Sequence, residues 1–268
     1  MNTRQRLKGF HINRMIPNVL TLLALSAGLS SIRFALTERW ELAVMSIIAA
    51  GILDGLDGRI ARILKGATKF GAELDSLSDF LCFGVAPALV LYLWALEDVG
   101  RFGWSPVLLY CIACALRLAR FNADLDEPAD DPAWERNFFV GVPTPAGAGL
   151  ILLPMVLWFQ IGVDSLRSPG VVGLTMLVVA GLLVSRLRTW SFKKVRITQA
   201  YVLPWMLGIG LYLAFLVSVP WLTLSLTALA YVVSIPLRAR AYRNHRERQR
   251  AEQPTDGPTV DDGRAAPG

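Results

Sequence analysis

Apolar residues gather into eight stretches along the chain: 16–36, 40–63, 73–96, 105–122, 143–162, 169–186, 199–217 and 220–237. A helix that crosses a bilayer needs about twenty mostly apolar residues, and each stretch comes close to that length. The connections between them are short, leave no room for a soluble domain, and show no internal repeat. This pattern predicts an all-α, polytopic integral membrane protein with about eight transmembrane helices. Acidic residues interrupt the second and third stretches, so hydropathy alone would shorten them.

Three regions follow. Residues 1–15 read as a basic, amphipathic N-terminal segment. The first apolar run has no small-residue cleavage pattern at its end, so it is expected to stay in the membrane. Residues 16–237 read as the transmembrane domain and 238–268 as a tail. The tail is basic and helical at the membrane surface from Arg238 to Arg250, then rich in Pro, Gly and Asp, a composition expected to be disordered.

The chain is 54% hydrophobic, too apolar for the charged surface a soluble domain requires. With the N-terminus inside, all of its 27 Lys and Arg except Arg33, Arg39, Arg101 and Arg167 fall in inner connections or the tail. Positive residues mark the cytoplasmic side, so both termini are expected there. The net charge of +6 is then explained by topology and by anionic lipid, with no nucleic-acid partner. The three cysteines, Cys82, Cys111 and Cys114, lie in apolar runs and read as buried packing residues rather than as a disulfide or zinc site.

Four aspartates do not belong in apolar helices unless they have work to do. Asp54 and Asp57 are three residues apart and Asp75 and Asp79 four apart, so each pair shares a helical face. If the chain turns near Gly66, the two helices form an antiparallel hairpin, because Asp54 with Asp79 and Asp57 with Asp75 both centre at or next to that glycine. Four carboxylates at one depth repel one another, and divalent cations relieve the repulsion. Oxygen-only ligands suit hard ions such as Mg²⁺ or Mn²⁺, which complete their shells with water and phosphate. Gly55, Gly58 and Ala61 clear space along the second helix. Arg62 offers a fork for phosphate oxygens, and Thr68 and Gly71 precede a helix N-terminus, which favours anions.

In pattern form these residues read D-x2-D-G-x2-A-R-x8-G-x3-D-x3-D, from Asp54 to Asp79. The pattern resembles the signature of the CDP-alcohol phosphatidyltransferases, and every fixed position is filled. Further segments resemble the CDP-diacylglycerol–serine O-phosphatidyltransferase branch: Ile16 to Thr21, Phe83 to Ala88, Arg117 to Asn122, and Phe139 to Ala146. The resemblance implies that Asp54, Asp57, Asp75 and Asp79 bind two divalent metal ions, Mg²⁺ or Mn²⁺, with Asp79 also the general base. It implies that Asn18, Thr21, Gly58, Arg62 and Thr68 hold CDP-diacylglycerol. It also implies a homodimer in a bacterial cytoplasmic membrane, with the active site facing the cytoplasm.

The expected reaction is attack by the hydroxyl of L-serine on the phosphatidyl phosphorus, giving phosphatidylserine and CMP. Arg117, Arg120 and Asn122 stand at the inner end of the fourth stretch, where a guanidinium would suit the carboxylate of an amino-acid acceptor. Glycerol 3-phosphate, inositol phosphate or choline as acceptor would keep the same chemistry, and Lys193, Lys194 and Arg196 are the basic residues that a phosphorylated acceptor would call on. A cation transporter is the alternative of another class. The one-sided clustering of acids and the absence of an inverted repeat argue against it.

Overall fold

A computed structural model describes residues 12–64, 68–126, 138–185, 188–190 and 202–234. Within them the apolar stretches fold as helices, in chain order α1 (Ile12–Leu36), α2 (Trp40–Ile63), α3 (Lys69–Val99), α4 (Arg101–Asp126), α5 (Thr144–Ile161), α6 (Pro169–Val184), α7 (Val202–Ser218) and α8 (Pro220–Ser234). Four of them, α1, α3, α4 and α5, are long and apolar enough to cross a membrane. α2 has the length but carries Asp54, Asp57, Arg59 and Arg62 towards its C-terminal end. The protein is a helical, multi-pass membrane protein. The N-terminal residues 1–11, the turn at Gly66, Arg136, the basic residues Lys193, Lys194 and Arg196, and the tail 238–268 lie outside the described residues.

One element was not anticipated. Two three-residue strands, β1 (Phe138–Val140) and β2 (Arg188–Trp190), pair antiparallel with Phe139 opposite Thr189. They tie the segment before α5 to the segment after α6, on the side where the aspartates lie.

α1 is the helix on which both α2 and the first half of α3 pack. Close approach is possible because the contacting positions are small: Ala24 and Ala35 of α1, Ala43 and Ala50 of α2, and Ala86 and Ala88 of α3 are all buried. The tightest point is Gly28, where an added Cβ would sit 2.6 Å from Cys82 Sγ and 3.2 Å from Cys82 Cα. The Cys82 thiol donates to Ala24 O at 3.3 Å, so a free cysteine serves here as packing and as a weak bond across the helix pair. Cys114 is likewise buried and free, and Cys111 is half-buried and free, in keeping with a packing role for the C-x-x-C.

α3 is not a uniform α-helix. Directly after Asp79 the backbone widens into a π-helical turn, Phe80–Val85. Pro87 lacks an N–H and cannot bond to the carbonyl four residues earlier, that of Phe83. The hydroxyl of Tyr110 on α4, itself fully buried, donates to Phe83 O at 2.9 Å instead. A second π turn, Tyr92–Leu96, frees Trp94 O, which accepts from Arg167 Nε at 2.9 Å while the guanidinium lies 5.9 Å from the Trp94 ring centre. Between α3, α4, α5 and α6 the core is filled by Leu91, Trp94, Tyr110, Ile151, Met155, Met176 and Leu183. α5 breaks at Leu152, just before Pro154. α7 turns almost all its described side chains outward and is linked to α8 by Tyr212 and Thr227, whose hydroxyl oxygens are 3.3 Å apart.

Gly28 provides a test of this packing. Gly28→Val should lower the thermal midpoint of the purified protein in detergent by the equivalent of about 1–3 kcal/mol, the usual cost of overpacking. Gly28→Ala combined with Cys82→Ala, which removes the opposing sulfur, should recover most of the loss. An unchanged midpoint for Gly28→Val would contradict the close approach of α1 and α3.

Candidate active site

The sequence places Asp54 and Asp57 in the last three turns of α2, and Asp75 and Asp79 in the first three turns of α3. The fold brings these ends together. Carboxylate oxygens of Asp54, Asp57 and Asp75 lie within 4.8 Å of one another. Asp79 lies against Asp54, and its Oδ1 is buried with no hydrogen-bond partner among the described residues. Asp57 is only 3% exposed, and the other three are half-buried. The two helices do not achieve this as a simple hairpin zipped along its length. Both lean on α1, and their acidic faces meet beside it.

α1 also contributes chemistry. The Thr21 hydroxyl donates to Asp57 Oδ2 at 2.7 Å and lies 3.1 Å from Pro17 O. Ser78, buried between Asp75 and Asp79, points its hydroxyl at Thr21 O, 3.4 Å away. Ser78 was not among the expected site residues. The signal was available, since a serine between two acids in an apolar helix is itself out of place. Such outer contacts fix the orientation of ligating carboxylates.

Beside the acids opens a cleft of roughly 250 Å³ lined by Asn18, Thr21, Asp57, Gly58, Arg62, Thr68, Gly71 and Asp75, together with small residues. It gathers all five residues expected to hold the CDP-lipid. A Cβ added to Gly58 would meet nothing within 4 Å, so this glycine leaves open floor in the cleft. Gly71 has the opposite setting: its Cβ would fall 2.9 Å from Asn18 Oδ1 and 3.1 Å from Thr68 Oγ1, so only glycine admits Asn18 there. Thr68 caps α3, its Oγ1 accepting from Gly71 N–H at 3.0 Å. Arg62 folds back so that Nε donates to Gly58 O at 2.9 Å. Among the described residues no lysine or arginine forms an ion pair with any of the four aspartates.

The donor set fits a hard divalent cation. Three carboxylates converge, a fourth has a buried oxygen without a hydrogen-bond partner, and no lysine or arginine is ion-paired to any of them among the described residues. An arrangement of this kind can hold metal ions next to a phosphate-bearing ligand in the adjoining cleft.

The three residues expected at the acceptor divide. Arg117 is half-buried; its Nη1 donates to Thr144 Oγ1 at 2.6 Å, and its Nε is buried without a partner among the described residues. Asn122 Nδ2 donates to Ser76 Oγ at 3.0 Å, linking α4 to the acidic face of α3. Arg120 reaches away to Val184 O at 3.3 Å and serves the C-terminal end of α6, where a cation is favourable.

Removing the Thr21 hydroxyl should be felt at the carboxylates. Thr21→Val, nearly isosteric, is expected to weaken Mn²⁺ binding to the purified protein about tenfold, read by the loss of free-ion signal in an electron paramagnetic resonance titration. Unaltered affinity would mean that Asp57 is oriented without it.

Comparison with known proteins gives the same direction. Residues 14–184 match the family described as CDP-alcohol phosphatidyltransferase, and residues 200–236 match that described as CDP-alcohol phosphatidyltransferase 2. A protein of Mycobacterium leprae named CDP-diacylglycerol–serine O-phosphatidyltransferase is 39% identical over 236 residues, 88% of this chain and 78% of that one. One of the same name from Mycobacterium tuberculosis is 39% identical over 86% of this chain and 80% of its own length. Another of that name, from Helicobacter pylori, is 37% identical over 68% and 74%.

Proposed function

The chain belongs to the CDP-alcohol phosphatidyltransferase family, and from that premise we propose that it is a membrane enzyme transferring the phosphatidyl group of CDP-diacylglycerol to L-serine, with release of CMP. The observation that carries this reading is the convergence of Asp54, Asp57 and Asp75 beside a cleft floored by Gly58 and flanked by Arg62. The names of the relatives supply the acceptor.

Asp54, Asp57, Asp75 and Asp79 would hold two divalent ions, Mg²⁺ or Mn²⁺. Held there, such ions would supply Lewis-acid stabilisation of the negative charge that develops on phosphate oxygens as CMP leaves. The remaining steps fall to the chain. Gly58 lets the cytidine diphosphate approach the α2 backbone, while Arg62, Asn18 and Thr68 offer donors to its oxygens. Thr21 keeps Asp57 in place. Asp79, whose Oδ1 is buried and unpartnered among the described residues, takes the proton from the serine hydroxyl as that oxygen attacks phosphorus. Arg117 receives the serine carboxylate through guanidinium donors not used by Thr144, and Asn122 supports it from the Ser76 side. Arg120 supports the same region by fixing the end of α6.

The site opens to the cytoplasm in this reading, because the aspartates share one end of the bundle with Arg59, Arg62, Arg117 and Arg120, the positive-inside side. Family resemblance supports a homodimer in a bacterial cytoplasmic membrane.

The acceptor is tested by incubating the purified protein with CDP-diacylglycerol, Mn²⁺ and one labelled alcohol at a time, following labelled lipid and CMP. Serine should give lipid at a rate well above glycerol 3-phosphate, inositol phosphate or choline. A faster rate with any of those would replace the acceptor and leave the family intact. Ion flux without CMP release would remove the enzyme altogether.

Asp79→Asn keeps the shape of the side chain and removes the base. It should cut kcat by at least about a hundredfold while the thermal midpoint stays near that of the parent. A near-parental rate in folded protein would take Asp79 out of the reaction.

A further inference from the structure

The shortest contact in the acceptor region involves a residue with no assigned role. Thr144, the first residue of α5, is 1% exposed and accepts a hydrogen bond from Arg117 Nη1 at 2.6 Å. Its backbone is held stiffly by prolines on both sides, Pro143 and Pro145. Just upstream, Gly141 has φ of +76°, and an added Cβ would stand 3.0 Å from Leu183 O and 3.1 Å from Ser185 O. Arg120 bonds to Val184 O in the same turn. The segment leading into α5 therefore lies close against the end of α6, and Arg120 ties α4 to that same end, by contacts that do not involve Arg117.

An arginine side chain is long and conformationally free, and a guanidinium recognises a carboxylate only when its planar fork is aimed. Thr144 supplies the aim. Its branched Cβ restricts χ1, so the hydroxyl offers a fixed acceptor to one edge of the fork. The buried Nε, without a partner among the described residues, shows that the fork's own donors are not used up by protein.

We infer that Thr144 is a specificity-determining positioning residue: its hydroxyl orients Arg117 to receive the acceptor's carboxylate, so that amino-acid alcohols are selected over alcohols without one. This rests on the reading of Arg117 given above. The selection is one of binding, with CDP-diacylglycerol recognised separately in the cleft beside α1, α2 and α3.

The test uses the full chain in lipid nanodiscs with Mn²⁺ and CDP-diacylglycerol, and L-serine or ethanolamine as acceptor. Thr144→Val, which keeps the shape and loses the hydroxyl, should raise KM for serine about tenfold, leave KM for CDP-diacylglycerol unchanged, and narrow the preference for serine over ethanolamine. Thr144→Ser, which retains the hydroxyl, should bring serine KM back to within about threefold of the parent. If Thr144→Val does not fold, Thr144→Ala is read against Thr144→Ser in the same way.

Arg117→Ala separates two failures. If it raises serine KM while Thr144→Val changes neither KM nor preference, Thr144 has no positioning role and Arg117 keeps its own. If Arg117→Ala also leaves serine KM alone, the assignment of Arg117 falls and the inference falls with it. A loss of kcat in the Thr144 variants with both KM values and the preference unmoved, or an equal rise in both KM values, would make the contact merely structural and overturn the proposal.

Discussion

Like charges held in a poorly solvated place repel one another, and this repulsion governs the architecture. Asp54, Asp57 and Asp75 bring oxygens within 4.8 Å, with Asp79 alongside and no lysine or arginine paired to any of them among the described residues. Such a cluster is unfavourable by itself, since desolvation penalises each charge and proximity adds to the penalty. Polar contacts offset part of it, and the three converging carboxylates could hold a metal ion that offsets more.

α1 does much of that arranging. It supports both acid-bearing helices, brings Thr21 to Asp57, and places Asn18 where Gly71 leaves room. Its packing relies on small residues rather than on large apolar ones, as expected where the solvent is itself apolar and hydrophobic burial gains little. The π turn after Asp79 belongs to the same economy of positions. It changes the register between the acidic face of α3 and the apolar remainder that packs on α4, and Tyr110 satisfies the carbonyl released by Pro87.

On the opposite side of the acids the basic residues are not equivalent. Arg120 is engaged with the end of α6, whereas Arg117 meets Thr144 and keeps its Nε without a partner among the described residues. The two arginines look interchangeable in the segment Arg117 to Asn122, three residues apart on one helical face. What distinguishes them is the neighbour each one meets, and those neighbours come from α5 and α6, distant in sequence.

Local chemistry explains why so much was legible beforehand. Apolar runs of spanning length fix helices because a backbone in lipid must satisfy its own hydrogen bonds, and acids at spacings of three and four fix a shared face. These facts are properties of short segments, so the helices, the acidic cluster and the glycine-floored cleft could be read from residues 40–79 and the opening of α1. The tertiary structure decided what depends on partners far apart in the chain: that α1 stands against both acidic helices, that Ser78 faces Thr21 and Thr144 meets Arg117, that Arg120 turns to the end of α6, and that β1 finds β2. No periodicity encodes those pairings, because each is set by which helix ends the packing of small and large side chains brings within hydrogen-bonding distance.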